Sequence, residues 1–306
     1  MLRAAVDRPI RESTWTQFEV FGQCRRRYEQ EFVALVPPEF EAVERFMDGV
    51  VREALSWFFL ASRGGALPTE AALVEKFAER WSDRLRPPVK IVRAGDRVEA
   101  YAHRGEMMLR RFHHEWTSSA GLRPELVGRQ FRLRLFSRFE LTVDVDLVAR
   151  DRDGGLHVVE LVTGPRARGE SDPDAPLRVR AWGLAVLLNW KADQVGLVRY
   201  LLSDGRRFKE TLTRQDAVPL VSSLAGRLEE MERCTQFPVR PSLRCAWCGY
   251  RSECEESGFP SGFVPLSESE VGRCPKCASA LGLRHGRLGV FVTCARYPDC
   301  RYSKDL

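Results

Sequence analysis

Between about residue 15 and residue 62, apolar side chains recur three and four positions apart, in the stretch Phe18 to Cys24 and again from Phe46 to Leu60. That spacing draws one apolar stripe along a helix and predicts helices that lean on a core. Gly64, Gly65 and Pro68 interrupt it. A second helical block runs from Glu70 to Leu85, stopped by Pro87 and Pro88, and a third from about Arg97 to Ser118. The period then falls to two. Glu125 to Phe136, Phe139 to Arg150 and Leu156 to Thr163 alternate or run apolar, which predicts a three-strand meander whose last hairpin turns at Asp151 to Gly155. Leu177 to Asn189 reads as an apolar helix, Val195 to Leu202 as a buried strand, Ser203 to Gly205 as a turn and Gln215 to Cys234 as an amphipathic helix. This order predicts an α/β or α+β core of about 250 residues.

Composition adds little to that picture until the cysteines are placed. The 306 residues are 44% hydrophobic and 29% charged, the balance of a globular chain. No run approaches the roughly 18 apolar residues of a membrane span, and the stretch from Met1 to Pro9 lacks the apolar centre of a signal peptide. A cytoplasmic protein with no membrane partner is expected. The net charge of +6, from 48 basic and 42 acidic residues, is too small by itself to point to a polyanion. Seven of the nine cysteines, however, lie between residues 245 and 300. In a reducing compartment such clusters are metal ligands or catalytic groups before they are disulfides. No P-loop, helicase motif or Gly-x-Ser-x-Gly elbow is present, so nucleotide-driven and serine-hydrolase functions have no support.

One cysteine group is Cys274-Pro-Lys-Cys277, then Cys294, then Cys300. Two thiolate pairs on turns, bracketing a strand pair, can close a tetrahedral zinc site that supplies most of the folding energy of so short a segment. The phrases Gly289-Val-Phe-Val-Thr-Cys294 and Tyr297-Pro-Asp-Cys300-Arg-Tyr302 resemble the zinc ribbon of bacterial type IA topoisomerases, which binds single-stranded DNA. The resemblance implies base stacking by Phe291, Tyr297 and Tyr302, and phosphate contacts from Arg296 and Arg301, with Lys276, Arg284 and Arg287 nearby.

The other group, Cys245, Cys248 and Cys254, supplies three close ligands and needs a fourth, from Cys24 or Cys234. An isolated N-terminal cysteine with a C-x2-C-x5-C at the far end resembles the iron–sulfur subgroup of RecB-like PD-(D/E)XK nucleases, which includes AddB and CRISPR-associated RecB-like proteins. The match extends to the phrase Ser13 to Tyr28 and to Phe237-Pro-Val-Arg-Pro, Trp247 and Tyr250. It implies a [4Fe–4S] cluster on Cys24, Cys245, Cys248 and Cys254 that staples the chain ends together, with zinc at the same ligands or a site using Cys234 as alternatives.

The same resemblance locates an active site. Asp146 falls on the family's metal aspartate and Glu160 on its second carboxylate, with Asp144 a weaker candidate on the same face. Four other positions depart from the pattern: Val162 stands for the lysine, Val143 for a glycine, Arg52 for a histidine and Arg178 for a glutamine. Losing one preorganised charge-stabilising group costs roughly 10²–10³ in rate. The favoured reading is a decayed site in which Arg52 and Arg178 pair with Asp146 and Glu160. A working nuclease with a relocated lysine or arginine and Mg²⁺ or Mn²⁺ is one alternative, and a mistaken fold assignment, with ordinary strand-end carboxylates, is another.

The expected organisation is therefore an α/β restriction-endonuclease-like PD-(D/E)XK domain with an iron–sulfur staple over residues 1–258, a linker over 259–271 and a zinc ribbon over 272–306. In that domain a mixed central sheet is flanked by helices. The expected function is binding of DNA, single-stranded or at ends, in repair, recombination or defence, beside a helicase or another subunit. An active exo- or endonuclease and a protein-interaction scaffold are the alternatives.

Overall fold

The computed structural model describes residues 10–62, 65–86, 88–93, 95–119, 121–163, 175–240, 242–256, 263–286 and 289–305. Gly64, Pro87, Arg287 and the first part of the expected linker lie outside the described residues.

Strand β1 (Arg11–Thr14) leads into α1 (Trp15–Gln23), which opens on a reciprocal cap. Thr14 Oγ1 accepts the Gln17 N–H at 3.2 Å, and the Gln17 side-chain oxygen accepts the Thr14 N–H at 2.8 Å. Helix α2 (Arg25–Tyr28) continues past Cys24, followed by β2 (Glu41–Ala42), α3 (Val43–Ala61), α4 (Glu70–Arg84), β3 (Val89–Lys90) and α5 (Val98–Ser119). The meander is β4 (Arg123–Leu135), β5 (Phe139–Arg150) and β6 (Leu156–Val162). Next come α6 (Ala175–Trp190), β7 (Gln194–Leu201), β8 (Arg207–Thr213) and α7 (Arg214–Arg233).

One sheet orders these strands β1-β5-β6-β7-β8, with β4 also paired to β5. The meander pairs are antiparallel, β1–β5 and β6–β7 are parallel, and the sheet is mixed. Leu141, Val143 and Val145 of β5 join one apolar cluster with Phe18 of α1, Leu184 of α6 and Leu224 of α7. Leu147, Val159 and Leu161 join another with Phe58 of α3, Phe77 of α4 and Phe112 of α5. Helices thus cover both faces, which is why the inner strands read as nearly continuous apolar runs. Strands β1 and β8 were not foreseen: β1 has four mostly polar residues, and β8 lies at the sheet's end with Leu212 as its one buried side chain. Among the described residues no helix is long and apolar enough to cross a membrane.

Strand β5 changes neighbour halfway along. Residues 139–142 pair with β1, whereas residues 147–150 pair with β6. Asp146 sits at the fork. On the other side of β5, the β4 ladder skips Gly128 opposite Asp146, where Gly128 adopts φ +56°.

The C-terminal part begins with a 3₁₀ turn (Leu243–Trp247) and α8 (Arg251–Glu256). It goes on through β9 (Val264–Pro265), α9 (Glu268–Val271), β10 (Leu281–Gly286), β11 (Gly289–Cys294) and β12 (Ser303–Asp305). These strands form a separate antiparallel sheet, β12-β11-β10-β9. Residues 263–271, expected as linker, supply its edge strand and a capped helical turn, because Val264 and Leu266 are buried with the ribbon's apolar residues. The same cluster takes in Val92, Ala246, Leu243 and Trp247, so the ribbon packs on the segment carrying Cys245 and Cys248.

The left-handed backbone at Gly128 is testable. A Cβ there meets nothing within 4 Å, so substitution costs only the left-handed backbone. Gly128→Val is expected to lower unfolding stability by about 1–2 kcal/mol and Gly128→Asn by less, measured in urea.

Candidate functional site

In a strand, the N–H and C=O of one residue point to the same edge. At Leu161, β6 has run past its last pairing with β5, and both groups are answered by side chains instead. The Leu161 N–H donates to Asp146 Oδ2 at 2.8 Å, and Arg52 Nη2 donates to the Leu161 carbonyl at 2.7 Å. Arg52 Nη1 also donates to Asp146 Oδ1, and Arg52 Nε to Asp48 at 3.0 Å. Asp48 in turn accepts the Thr163 hydroxyl. One guanidinium therefore occupies a carboxylate oxygen and a main-chain carbonyl, two oxygen ligands of the kind a hard cation takes.

Glu160 is fully buried and is clasped from both sides. Arg178 Nε donates to Oε1 at 2.9 Å, and Arg199 Nε, its cross-strand neighbour on β7, donates to Oε2 at 2.7 Å. Arg178 Nη1 reaches Glu19 of α1 at 3.2 Å. Val162 is buried, two residues along the strand from Glu160. Asp144 is exposed and accepts from Gln130 at 2.9 Å, apart from the cluster. Burial pushes the Asp146 carboxyl up, opposed mainly by Arg52. For Arg52, burial works against the charge but Asp146 and Asp48 outweigh it, and the guanidinium stays ionised. Glu19, Asp48, Thr163 and Arg199 complete this centre without having been foreseen. Arg199 carried a legible signal, a lone cation inside an apolar strand, and Asp48 another, an acid four residues before Arg52 on one helix face.

The residues do not fit a divalent metal. Both carboxylates are already neutralised by three arginines, and no cationic side chain stands at the position of Val162.

The cysteines separate into two geometries. Cys274, Cys277, Cys294 and Cys300 bring their ligand atoms within 4.8 Å of one another, with Cys274 and Cys300 3.7 Å apart and Cys277 and Cys294 3.4 Å apart. Four thiolates around zinc at ~2.3 Å stand ~3.8 Å apart, so this quartet suits zinc. Cys24, Cys245, Cys248 and Cys254 instead line one hollow with about 40 Å³ of free space. Among the described residues they do not form so tight a group. Burial pushes the thiols of Cys245 and Cys248 up, and that of Cys254 to about 12, with Cys248, Cys24 and Cys245 each adding to the last. Cys234 bonds its own neighbourhood, at Gln236 O. Gly249 permits the docking: a Cβ there would meet the Phe40 carbonyl at 2.6 Å.

Of the candidate nucleic-acid residues, Arg296, Tyr297 and Arg301 are exposed and Phe291 is half-buried. Tyr302 packs on the apolar cluster that joins the ribbon to the segment carrying Cys245. Arg25, Arg26 and Arg27 each pair with a glutamate of the chain.

Residues 12–255 match the family described as "PD-(D/E)XK nuclease superfamily", and residues 271–306 match "Topoisomerase DNA binding C4 zinc finger". Over 33 residues the chain is 48% identical to "DNA topoisomerase 1" of Campylobacter jejuni, covering 11% of this chain and 5% of that protein. Over 36 residues it is 50% identical to "DNA topoisomerase 1" of Methanothermobacter thermautotrophicus, covering 12% and 5%. The chain thus spans a twentieth of the length of these relatives. A solved structure described as "Crystal structure of SSO0001" is 13% identical, with a TM-score of 0.33, over 79% of this chain and 98% of that one.

Arg52→Met removes the main partner of a half-buried carboxylate and is expected to cost about 3 kcal/mol at neutral pH. Without Arg52 the Asp146 carboxyl lies still further above its unfolded value. The protonated form then favours the folded state, and stability is lost as pH rises from about 3.9 through the folded value. The gap between variant and wild type, measured by urea unfolding, should therefore shrink toward pH 4.

Proposed function

Because the chain belongs to the PD-(D/E)XK nuclease superfamily over residues 12–255, we propose that it is a DNA-binding member whose hydrolytic centre is closed by its own arginines. The observation that carries this reading is the Arg52 guanidinium held on both Asp146 and the Leu161 carbonyl, where a catalytic metal needs open oxygen ligands. Arg178 and Arg199 neutralise Glu160 in the same way. Buried Val162 offers neither a proton nor a charge to a developing phosphorane.

DNA contact then rests on accessory surfaces. The ribbon offers exposed Tyr297 with Arg296 and Arg301 beside it, and half-buried Phe291 and Tyr302 at its flanks. Cys274, Cys277, Cys294 and Cys300 hold its zinc. Cys24, Cys245, Cys248 and Cys254 hold a [4Fe–4S] cluster. Their wider spacing supports a cage for a four-iron cube rather than a single ion, and thiols pushed up by burial give up their protons only to a strong cationic centre. The cluster's role is structural, a clip across a loop of more than two hundred residues between Cys24 and Cys245. In the cell such a protein serves as a recruiting or structural subunit in repair, recombination or defence, beside a helicase or another partner.

Purified without oxygen, the chain is expected to be brown, with about four irons and one zinc. Colourless protein with two zincs refutes the cluster. With Mn²⁺ and labelled single-stranded DNA, binding without cleavage is expected. Cleavage that disappears in Glu160→Ala would instead establish an active nuclease.

A further inference from the structure

Two side-chain nitrogens beside the cysteine hollow lack an acceptor among the described residues. Arg93 Nε and Trp247 Nε1 are buried without a hydrogen-bond partner among the described residues, and both residues line one groove of about 890 Å³. The two nitrogens themselves have no accessible surface, so these residues bear on the groove through their remaining atoms, a guanidinium charge and an indole ring. Arg27, Arg45 and Arg244 add positive charge to the walls, and Phe40 adds a second aromatic face.

The acids in the same walls are largely engaged. Glu31 pairs with Arg27 at 3.0 Å, Glu41 lies 4.0 Å from Arg45, and Glu44 accepts the Tyr101 hydroxyl at 3.1 Å. The second oxygen of Glu44 is buried without a donor and repels anions. A negatively charged ligand is therefore expected on Arg93 and Arg244 rather than beside Glu44. Arg93 itself makes no ion pair among the described residues, though Asp96 feels its charge.

We infer that this groove seats a single strand of DNA, with phosphate oxygens on Arg93 and Arg244 and an unstacked base against Trp247 and Phe40. Flat side chains in a wall serve bases that have left a duplex stack, whereas a duplex hides its base faces. Trp247 also lines a second hollow, with Arg273, Tyr302 and Lys304 of the ribbon, so the indole bears on both. The inference rests on the DNA-binding reading above and adds the place and the strand state.

The test uses the whole chain, purified without oxygen, and a fluorescently labelled 20-mer of thymidine, with anisotropy read across a range of salt. Arg93→Ala is expected to weaken binding about five- to tenfold and to reduce the salt slope by about 0.7, the value of one single-strand phosphate contact. Trp247→Phe keeps a ring but offers a smaller stacking face. It should weaken binding severalfold and leave the salt slope unchanged. Metal content and thermal midpoint matching the wild type show that each variant is folded. Independently of any variant, an oligonucleotide carrying 4-thiothymidine should crosslink to residues 40–45, 93 or 244–250 of the wild type. If the wild type binds while both variants bind equally well and crosslinks fall elsewhere, the groove is wrong and DNA binding stands. If the wild type binds no DNA, both readings fall. Tighter binding of duplex DNA or of RNA overturns the assignment to single-stranded DNA.

Discussion

A strand that exchanges one neighbour for another leaves main-chain groups without a ladder, and β5 does this at Asp146. The Leu161 N–H and C=O, which β5 would otherwise satisfy, fall to the Asp146 carboxylate and the Arg52 guanidinium. The ion pair stands in for a missing backbone bridge. Much follows from that substitution. Arg52 ties α3 to the sheet, Arg178 ties α6 to β6 and to Glu19 of α1, and Arg199 joins β6 to β7. Helices on both faces are thus fastened to one point of the sheet by charges that partly or wholly avoid water, where each is strong only while its partner is present.

A second meeting point brings distant segments of the chain together. Cys24 follows α1, while Cys245, Cys248 and Cys254 belong to the segment after α7, and all four face one hollow. Gly249 lets that segment close on residues 38–40, where the Glu39 N–H donates to the Gly249 carbonyl at 2.9 Å. The ribbon then builds on the segment carrying Cys245 and Cys248 through Leu243, Ala246 and Trp247. A short sheet with few apolar residues of its own gains a surface to lean on.

The central elements were legible because their physics is local and repetitive. Helical spacing in α3 to α5, alternation in β4 to β6 and turn residues at Asp151 to Gly155 all mark elements that the structure contains. The zinc quartet was legible from spacing alone. What escaped was non-local. Strands β1 and β8 carry too few buried residues to show a period, and Val264 and Leu266 looked like linker because their apolar partners lie on the ribbon and on the segment carrying Cys245. At the carboxylate centre, the likeness to a known motif led to Asp146, Glu160, Arg52 and Arg178. Arg199, Asp48 and Glu19 come from three separate elements, and a one-dimensional pattern holds no record of their meeting.

Retention of both carboxylates in a centre without a lysine has a physical explanation that needs no catalysis. Asp146 cannot be lost cheaply, since the Leu161 N–H would be left without an acceptor. Once Asp146 stays, a cation must answer it, and a guanidinium does so while also serving the Leu161 carbonyl. A divalent ion entering here would have to displace Arg52, strand that charge beside Asp48, and shed waters that Mg²⁺ gives up reluctantly. The arginine, delivered on a packed helix, has no such dehydration left to undergo. In this structure the acidic motif serves the sheet: Asp146 answers the Leu161 N–H, and Arg52 answers both Asp146 and the Leu161 carbonyl.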